Sequence, residues 1–182
     1  MKIMQIMVLR LGHRLPRDER MTTHVCLTAR AFGASGAIYS GQKDNSLEGS
    51  VERIVGKWGG EFSMEYEGKP IQRIERMKRE GWAVVHLTMY GMPLPEKGRE
   101  IGKKGRVLVV VGAEKVPAEV YSLADFNVAV GSQPHSEIAA LAVALDRLQG
   151  GKELERGFQS NFAGAEVTLE PSEKGKNIRK AY

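Results

Sequence analysis

One cysteine, 7% aromatic residues and no apolar run of membrane-spanning length are the scarcities of this 182-residue chain. A lone Cys26 excludes an internal disulfide and a cysteine-based zinc site, and reads as a packed small hydrophobe in a reducing, cytoplasmic setting. No stretch approaches the roughly 20 apolar residues that cross a bilayer, so no membrane partner is expected. Arg10 and Arg14 follow the first apolar stretch rather than precede it, which is not the pattern of a secretory signal. Standard catalytic signatures are missing too. There is no G-x-x-x-x-G-K-[ST] loop, no G-x-G-x-x-G after the first strand, no H-E-x-x-H and no G-x-S-x-G. His13, His24, His86 and His135 are too scattered to argue for a metal.

What is present is an ordinary globular composition, 42% hydrophobic and 27% charged, with a net charge of +5. The basic excess permits a polyanionic partner. Much of it sits in Lys97–Arg106 (KGREIGKKGR) and Lys174–Lys180 (KGKNIRK), which read equally well as solvated loop and tail.

The stretch from Arg106 to Gly150 organises the chain. Val107–Val111 is an uninterrupted β-branched-rich run, the pattern of a strand buried on both faces of a parallel sheet, and Phe126–Val130 is a second such run. Gly112 and Gly131 follow at once, so two backbone loops open at strand carboxyl ends, where open α/β sheets bind ligands. Pro134 and Ser136 introduce a helix with Ile138, Leu141, Ala142, Leu145 and Leu148 inward, stopped by Gly150 and Gly151.

Upstream, Ile3–Leu11 reads as a strand, and GHRLPRDER carries Arg14, Arg17 and Arg20. Those arginines fit either phosphate recognition or plain solvation. Thr22 or Thr23 is a candidate cap for the next helix, ending near Gly33. Strand Ala37–Ser40, a helix from about Ser46 to Trp58, edge strand Phe62–Tyr66, a helix from Pro70 and strand Trp82–Leu87 follow, the last running into the loop Thr88–Gly91. Alternation of this kind predicts an α/β fold with a mostly parallel sheet covered by helices, over residues 1–150, and a polar, basic extension over 151–182. Three glycine loops at one sheet edge predict one small-molecule pocket, with Leu87, Val116 and Val130 as apolar walls and Glu114, Lys115, His135, Ser136 and Glu137 at its rim. Such a pocket suits an adenine ring, and the missing pyrophosphate cradle favours an adenosyl cofactor over a dinucleotide.

GAEKVP, ADFNVAVGSQPHSE with AALAVALDRL, and LRLGHRLPRDERMTTHVCLTARAFGA together resemble the archaeal tRNA 2′-O-ribose methyltransferases that modify cytidine 56 of the T loop, in the SPOUT superfamily. The likeness spans roughly Leu9 to Leu148. It implies a deep trefoil knot in the carboxyl-terminal half, S-adenosylmethionine as cofactor, a homodimer and tRNA as substrate. Carried over, the cofactor contacts are Leu87, then Gly112, Ala113, Glu114, Lys115 and Val116, then Val130, Gly131, Ser132, Gln133, Pro134, His135, Ser136 and Glu137. Ser132 stands where this subfamily is expected to carry asparagine. Leu27 stands where related ribose methyltransferases carry an arginine, which makes Arg20 the expected catalytic arginine, ahead of Arg17, Arg14 and Arg10. Ser136 is expected either to orient a ligand or to cap its helix. Arg10, Arg14, Arg17, Lys103, Lys104 and Arg106 are the expected RNA contacts. The rival readings are an RNA-binding module with a vestigial pocket, methylation of another RNA nucleotide, and an adenine-nucleotide enzyme.

Overall fold

The computed structural model describes residues 4–112, 115–159 and 162–180. Six parallel strands form the main sheet in the order β3-β2-β1-β5-β4-β6. They are β1 Gln5–His13, β2 Gly36–Gly41, β3 Ser63–Tyr66, β4 Ala83–Pro93, β5 Arg106–Val111 and β6 Phe126–Ala129. β5 explains the aliphatic run best. Val107, Val109 and Val111 enter one core and Leu108 and Val110 the other, so alternate side chains are buried on opposite faces.

Helices α1 (Glu19–Ala31), α4 (Leu94–Ile101) and α6 (Glu137–Gln149) cover the first face through Val25, Ala29, Leu94, Ile101, Leu141 and Leu145. Helices α3 (Pro70–Arg79) and α5 (Ala118–Leu123) cover the second through Ile74, Met77 and Val120. Helix α2 (Asn45–Trp58) packs Leu47 and Val51 onto Tyr39 and Cys26. Cys26 is buried, and that burial pushes its thiol up to about 12.

The structure moves three boundaries. α1 begins at Glu19, because the Thr22 hydroxyl pairs with His13 Nδ1 at 2.8 Å and the Thr23 hydroxyl donates back to Glu19 O, so neither caps. α4 overlaps the first half of the basic run, with Glu96, Arg99 and Glu100 exposed and Lys97 half-buried around the buried pair Leu94 and Ile101. β4 continues past Leu87: both Leu87 and Met92 lie opposite Val128, so Thr88–Gly91 loops out between two pairings with the same strand. Beyond Gly151 the described residues form helix α7 (Lys152–Gln159) and an antiparallel pair, β7 (Val167–Glu170) and β8 (Asn177–Lys180). It docks on the end of α2 through Gly60 N to Ala163 O and Glu166 N to Lys57 O.

A candidate ligand cavity at the strand ends

A cavity of about 350 Å³ opens at the carboxyl ends of β4, β5 and β6. Leu87, Val111, Val116, Val128 and Val130 supply apolar walls, and the looped-out Thr88, Met89 and Tyr90 form one side. Exposure rises along β4 from His86 at 0% through Leu87 at 8% to Tyr90 at 81%, so the strand runs from the cavity floor to its mouth. Gly112 is needed where the second loop turns: a Cβ there would collide with the Val116 side chain.

His86 and Tyr121 form the polar floor, and Asn127 backs them. Asn127 Nδ2 donates to Tyr121 O at 2.9 Å, which turns its Oδ1 toward His86 Nδ1, also at 2.9 Å. His86 therefore carries its proton on Nδ1, and Nε2 is a buried acceptor without a partner. The Tyr121 ring meets the imidazole edge-on at 4.7 Å. The nearest sequence signal was His86's place beside Leu87 in a strand that leads into a glycine loop.

Burial lowers the His86 pKa from its ordinary 6.5, only partly offset by the Asn127 hydrogen bond. The unfolded chain then binds a proton that the native state refuses. The stability contributed is full above about pH 6.5 and is lost as pH falls toward the folded value, with a slope of up to about 1.4 kcal/mol per pH unit. Denaturant titrations of the wild type between about pH 7 and 5 should show this loss, and His86→Gln should flatten it.

Arg10, expected among the RNA contacts, is instead only 2% exposed. Its guanidinium donates to Leu11 O and, at 2.8 Å, to Gly112 O, while its second terminal nitrogen lies 3.2 Å from Glu137 Oε1. One buried side chain thus ties β1 to the glycine loop after β5 and to the start of α6. Burial raises the Glu137 pKa, with Arg10 pulling it down and Asp18 adding to the rise.

Next to the cavity lies a second depression, of about 470 Å³, lined by Arg10, Arg14, Arg17, Asp18, Met21, His135, Ser136 and Glu137. His135 and Glu137 border both spaces. Arg14 Nε bonds Asp18 Oδ2 at 3.1 Å. Burial raises the Asp18 pKa, but the hydrogen bond and charge of Arg14, with Arg10 behind, outweigh it and hold the carboxyl below its ordinary value. Ser136 does cap: its Oγ accepts from Ile138 N at 3.2 Å.

The cavity thus brings together Leu87, Gly112, Val116, Val130, Pro134, His135 and Glu137 of the expected cofactor set. Gly131 lies under the His135 ring, while Lys115, Ser132 and Gln133 are exposed on the same loops. Ala113 and Glu114 fall outside the described residues. Arg20 is elsewhere, in a depression between α1 and α2 with His24, Asp44 and Ser46. Lys103, Lys104 and Arg106 sit at the amino-terminal edge of the sheet, the end of β5 opposite the cavity, where Arg106 bonds Glu80 O and lies over Trp82. Among the described residues no cluster of potential metal ligands occurs, and no helix is long and apolar enough to cross a membrane.

Residues 58–179 match the family model described as tRNA ribose 2′-O-methyltransferase, aTrm56. The tRNA (cytidine(56)-2′-O)-methyltransferase of Methanopyrus kandleri is 54% identical over 173 residues, 95% of each chain. This chain belongs to the aTrm56 family. The corresponding enzyme of Archaeoglobus fulgidus is 50% identical over 96% of this chain and 98% of its own. The chain shares its fold with the A. aeolicus TrmH/SpoU tRNA modifying enzyme, at a TM-score of 0.61 and 17% identity over 88% of this chain and 81% of that one. It also resembles the SpoU methyltransferase AviRb of Streptomyces viridochromogenes, solved in complex with AdoMet, at a TM-score of 0.53 and 13% identity over 82% of this chain and 58% of that one. At such identities these two likenesses concern the fold.

Proposed function

We infer that the protein transfers a methyl group from S-adenosylmethionine to the ribose 2′-hydroxyl of cytidine 56 in the T loop of tRNA, acting in the cytoplasm. Family membership supports the reaction, and the observation that carries it to this chain is the cavity walled by three strand-end loops. Its residues fit an adenosyl group. The walls are aliphatic, Gly112 sits at the cavity's edge packed against Val116, and His86 and Tyr121 supply polar groups beside the apolar walls.

When bound, S-adenosylmethionine supplies an electrophilic sulfonium methyl. The chain's own task is to hold an acceptor hydroxyl in line with it, which is chiefly a matter of orientation. Leu87, Gly112, Val116 and Val130 would hold the cofactor from one side, and the depression beside His135 and Glu137 would receive the nucleotide. Arg14 and Arg17 line that depression and would take its phosphates; Arg10 would act through the Gly112 carbonyl and Glu137 rather than on RNA. Residues 1–150 form the methyltransferase domain and 151–182 an extension that closes against α2. The double pairing of β4 with Val128 fits a chain threaded into a trefoil knot at this point.

Arg20 lies on the α2 side of α1, so it would reach a reacting nucleotide only from a second copy in a homodimer. Exposed Met89, Tyr90 and Met92 at the cavity mouth give a second copy apolar surface to cover. Mixing Arg20→Ala protein with a variant unable to bind cofactor should restore transfer in the mixed dimer; no restoration would remove Arg20 from the partner's site.

Binding of tRNA should weaken linearly in log affinity against log salt. Replacing Arg14 and Arg17 together should shallow that slope by roughly one to two units, as for the loss of one or two phosphate contacts. The same comparison with Lys103 and Lys104 tests whether the opposite edge also meets RNA. An unchanged slope in either pair removes that pair from the interface. The vestigial-pocket reading predicts tRNA binding without S-adenosylhomocysteine binding, which calorimetry decides.

A further inference from the structure

We propose that His135 is the general base of the methyl transfer: it takes the proton of the ribose 2′-hydroxyl. This rests on the reading above, in which the adenosyl group fills the cavity and the nucleotide the depression beside it. A hydroxyl that reacts across two spaces must sit where they meet, and among the described residues His135 and Glu137 alone line both.

The surrounding groups narrow the choice. Arg10, Arg14 and Arg17 have no lone pair to offer, since arginine stays protonated in proteins. Asp18 is bonded to Arg14 and held below the usual carboxylate range, which makes it a weak base. Glu137 is committed to Arg10 at 3.2 Å. On the cavity side, His86 is sealed at 0% exposure with Nδ1 already donating, and Tyr90 and Tyr121 offer phenolic hydroxyls, which are poor bases.

His135 differs from all of these. Its ring is exposed, among the described residues it makes no hydrogen bond, and its Cδ2 and Nε2 edge stands over Gly131, 3.7 and 3.8 Å from where a Cβ would be. The ring is therefore held at the loop but not spent on it. An imidazole is also the side chain whose basicity suits proton transfer near neutral pH. The step balances. The 2′-oxygen forms a bond to the methyl carbon as the carbon–sulfur bond breaks with its electron pair left on sulfur; the hydroxyl proton moves to the His135 ring, which passes it to solvent.

The test uses full-length protein and unmodified tRNA transcript. His135→Ala should retain S-adenosylhomocysteine and tRNA affinity within about threefold while single-turnover transfer falls by about 10²–10⁴-fold, the usual range for losing a general base. Added imidazole should restore part of that rate, and the acid limb of the wild-type pH–rate profile should vanish in the variant. Diethyl pyrocarbonate should modify His135 in the free protein and spare it in the complex with S-adenosylhomocysteine and tRNA. Transfer within about threefold of wild type, or an unchanged acid limb, overturns the proposal while leaving the methyltransferase reading intact. Absence of S-adenosylhomocysteine binding by the wild type would instead overturn the reading on which it rests.

Discussion

Gly91→Ala should leave a protein that no longer binds S-adenosylhomocysteine measurably and that unfolds well below the wild-type temperature. β4 passes so close to β6 that a Cβ on residue 91 would lie 2.5 Å from Asn127 O and closer still to the Asn127 carbonyl carbon and Val128 N. All three obstacles are backbone, so no rotamer change relieves them. Overpacking of this kind costs about 3 kcal/mol or more, which for a chain this size is a fall of roughly 6–12 °C in Tm. The cavity suffers as well, because Gly91 closes the loop whose Thr88, Met89 and Tyr90 form one wall. Gly49→Ala serves as the control. A Cβ there meets nothing within 4 Å, and the position is inside α2, so a gain of up to about 1 kcal/mol is expected. Calorimetric melting of both variants checks the pair; equal melting temperatures would mean that β4 does not cross β6 as described.

Arg10→Met is expected to be nearly as damaging, by a different route. Removing one partner of a buried ion pair strands the other, at about 3–5 kcal/mol. Here the stranded group is Glu137, and the Gly112 carbonyl loses its donor in the same stroke. Cofactor affinity should fall with stability, since the tie joins two of the three cavity loops. Adding Glu137→Gln should recover part of the stability, because a neutral amide tolerates the site better than an unpaired carboxylate. A double-mutant cycle with no coupling energy would show that the two side chains do not act together. Full-strength tRNA binding by Arg10→Met refolded at low temperature would agree with an internal role; a specific loss of tRNA affinity would return Arg10 to the RNA contacts.

Much of this geometry was legible before the coordinates. Aliphatic runs ending in Gly112 and Gly131 announced buried parallel strands with loops at their ends, because a strand covered on both faces has no polar alternation to confuse it. Pro134, Ser136 and the spacing from Ile138 to Leu148 placed α6 closely. Other features left no local trace. α4 was hidden because its charged residues, Glu96, Lys97, Arg99 and Glu100, dominate eight residues that bury only Leu94 and Ile101. The fate of Arg10 depends on Gly112 and Glu137, more than a hundred residues away, and nothing in LRLGHR distinguishes an arginine turned inward from one turned out. Arg20 and Arg17 are three residues apart in sequence, yet they line different depressions, Arg20 toward α2 and Arg17 toward the start of α6. His86 reads as any histidine in a strand until Asn127 fixes its tautomer and leaves Nε2 bare.

The measurement that bears most directly on the account is transfer of labelled methyl from S-adenosylmethionine to unmodified archaeal tRNA transcript, with the product mapped by nuclease digestion and mass spectrometry. The account predicts one methyl per tRNA, on the ribose of cytidine 56. A methyl on a base, on another nucleotide, or no transfer by protein that binds S-adenosylhomocysteine tightly would contradict it.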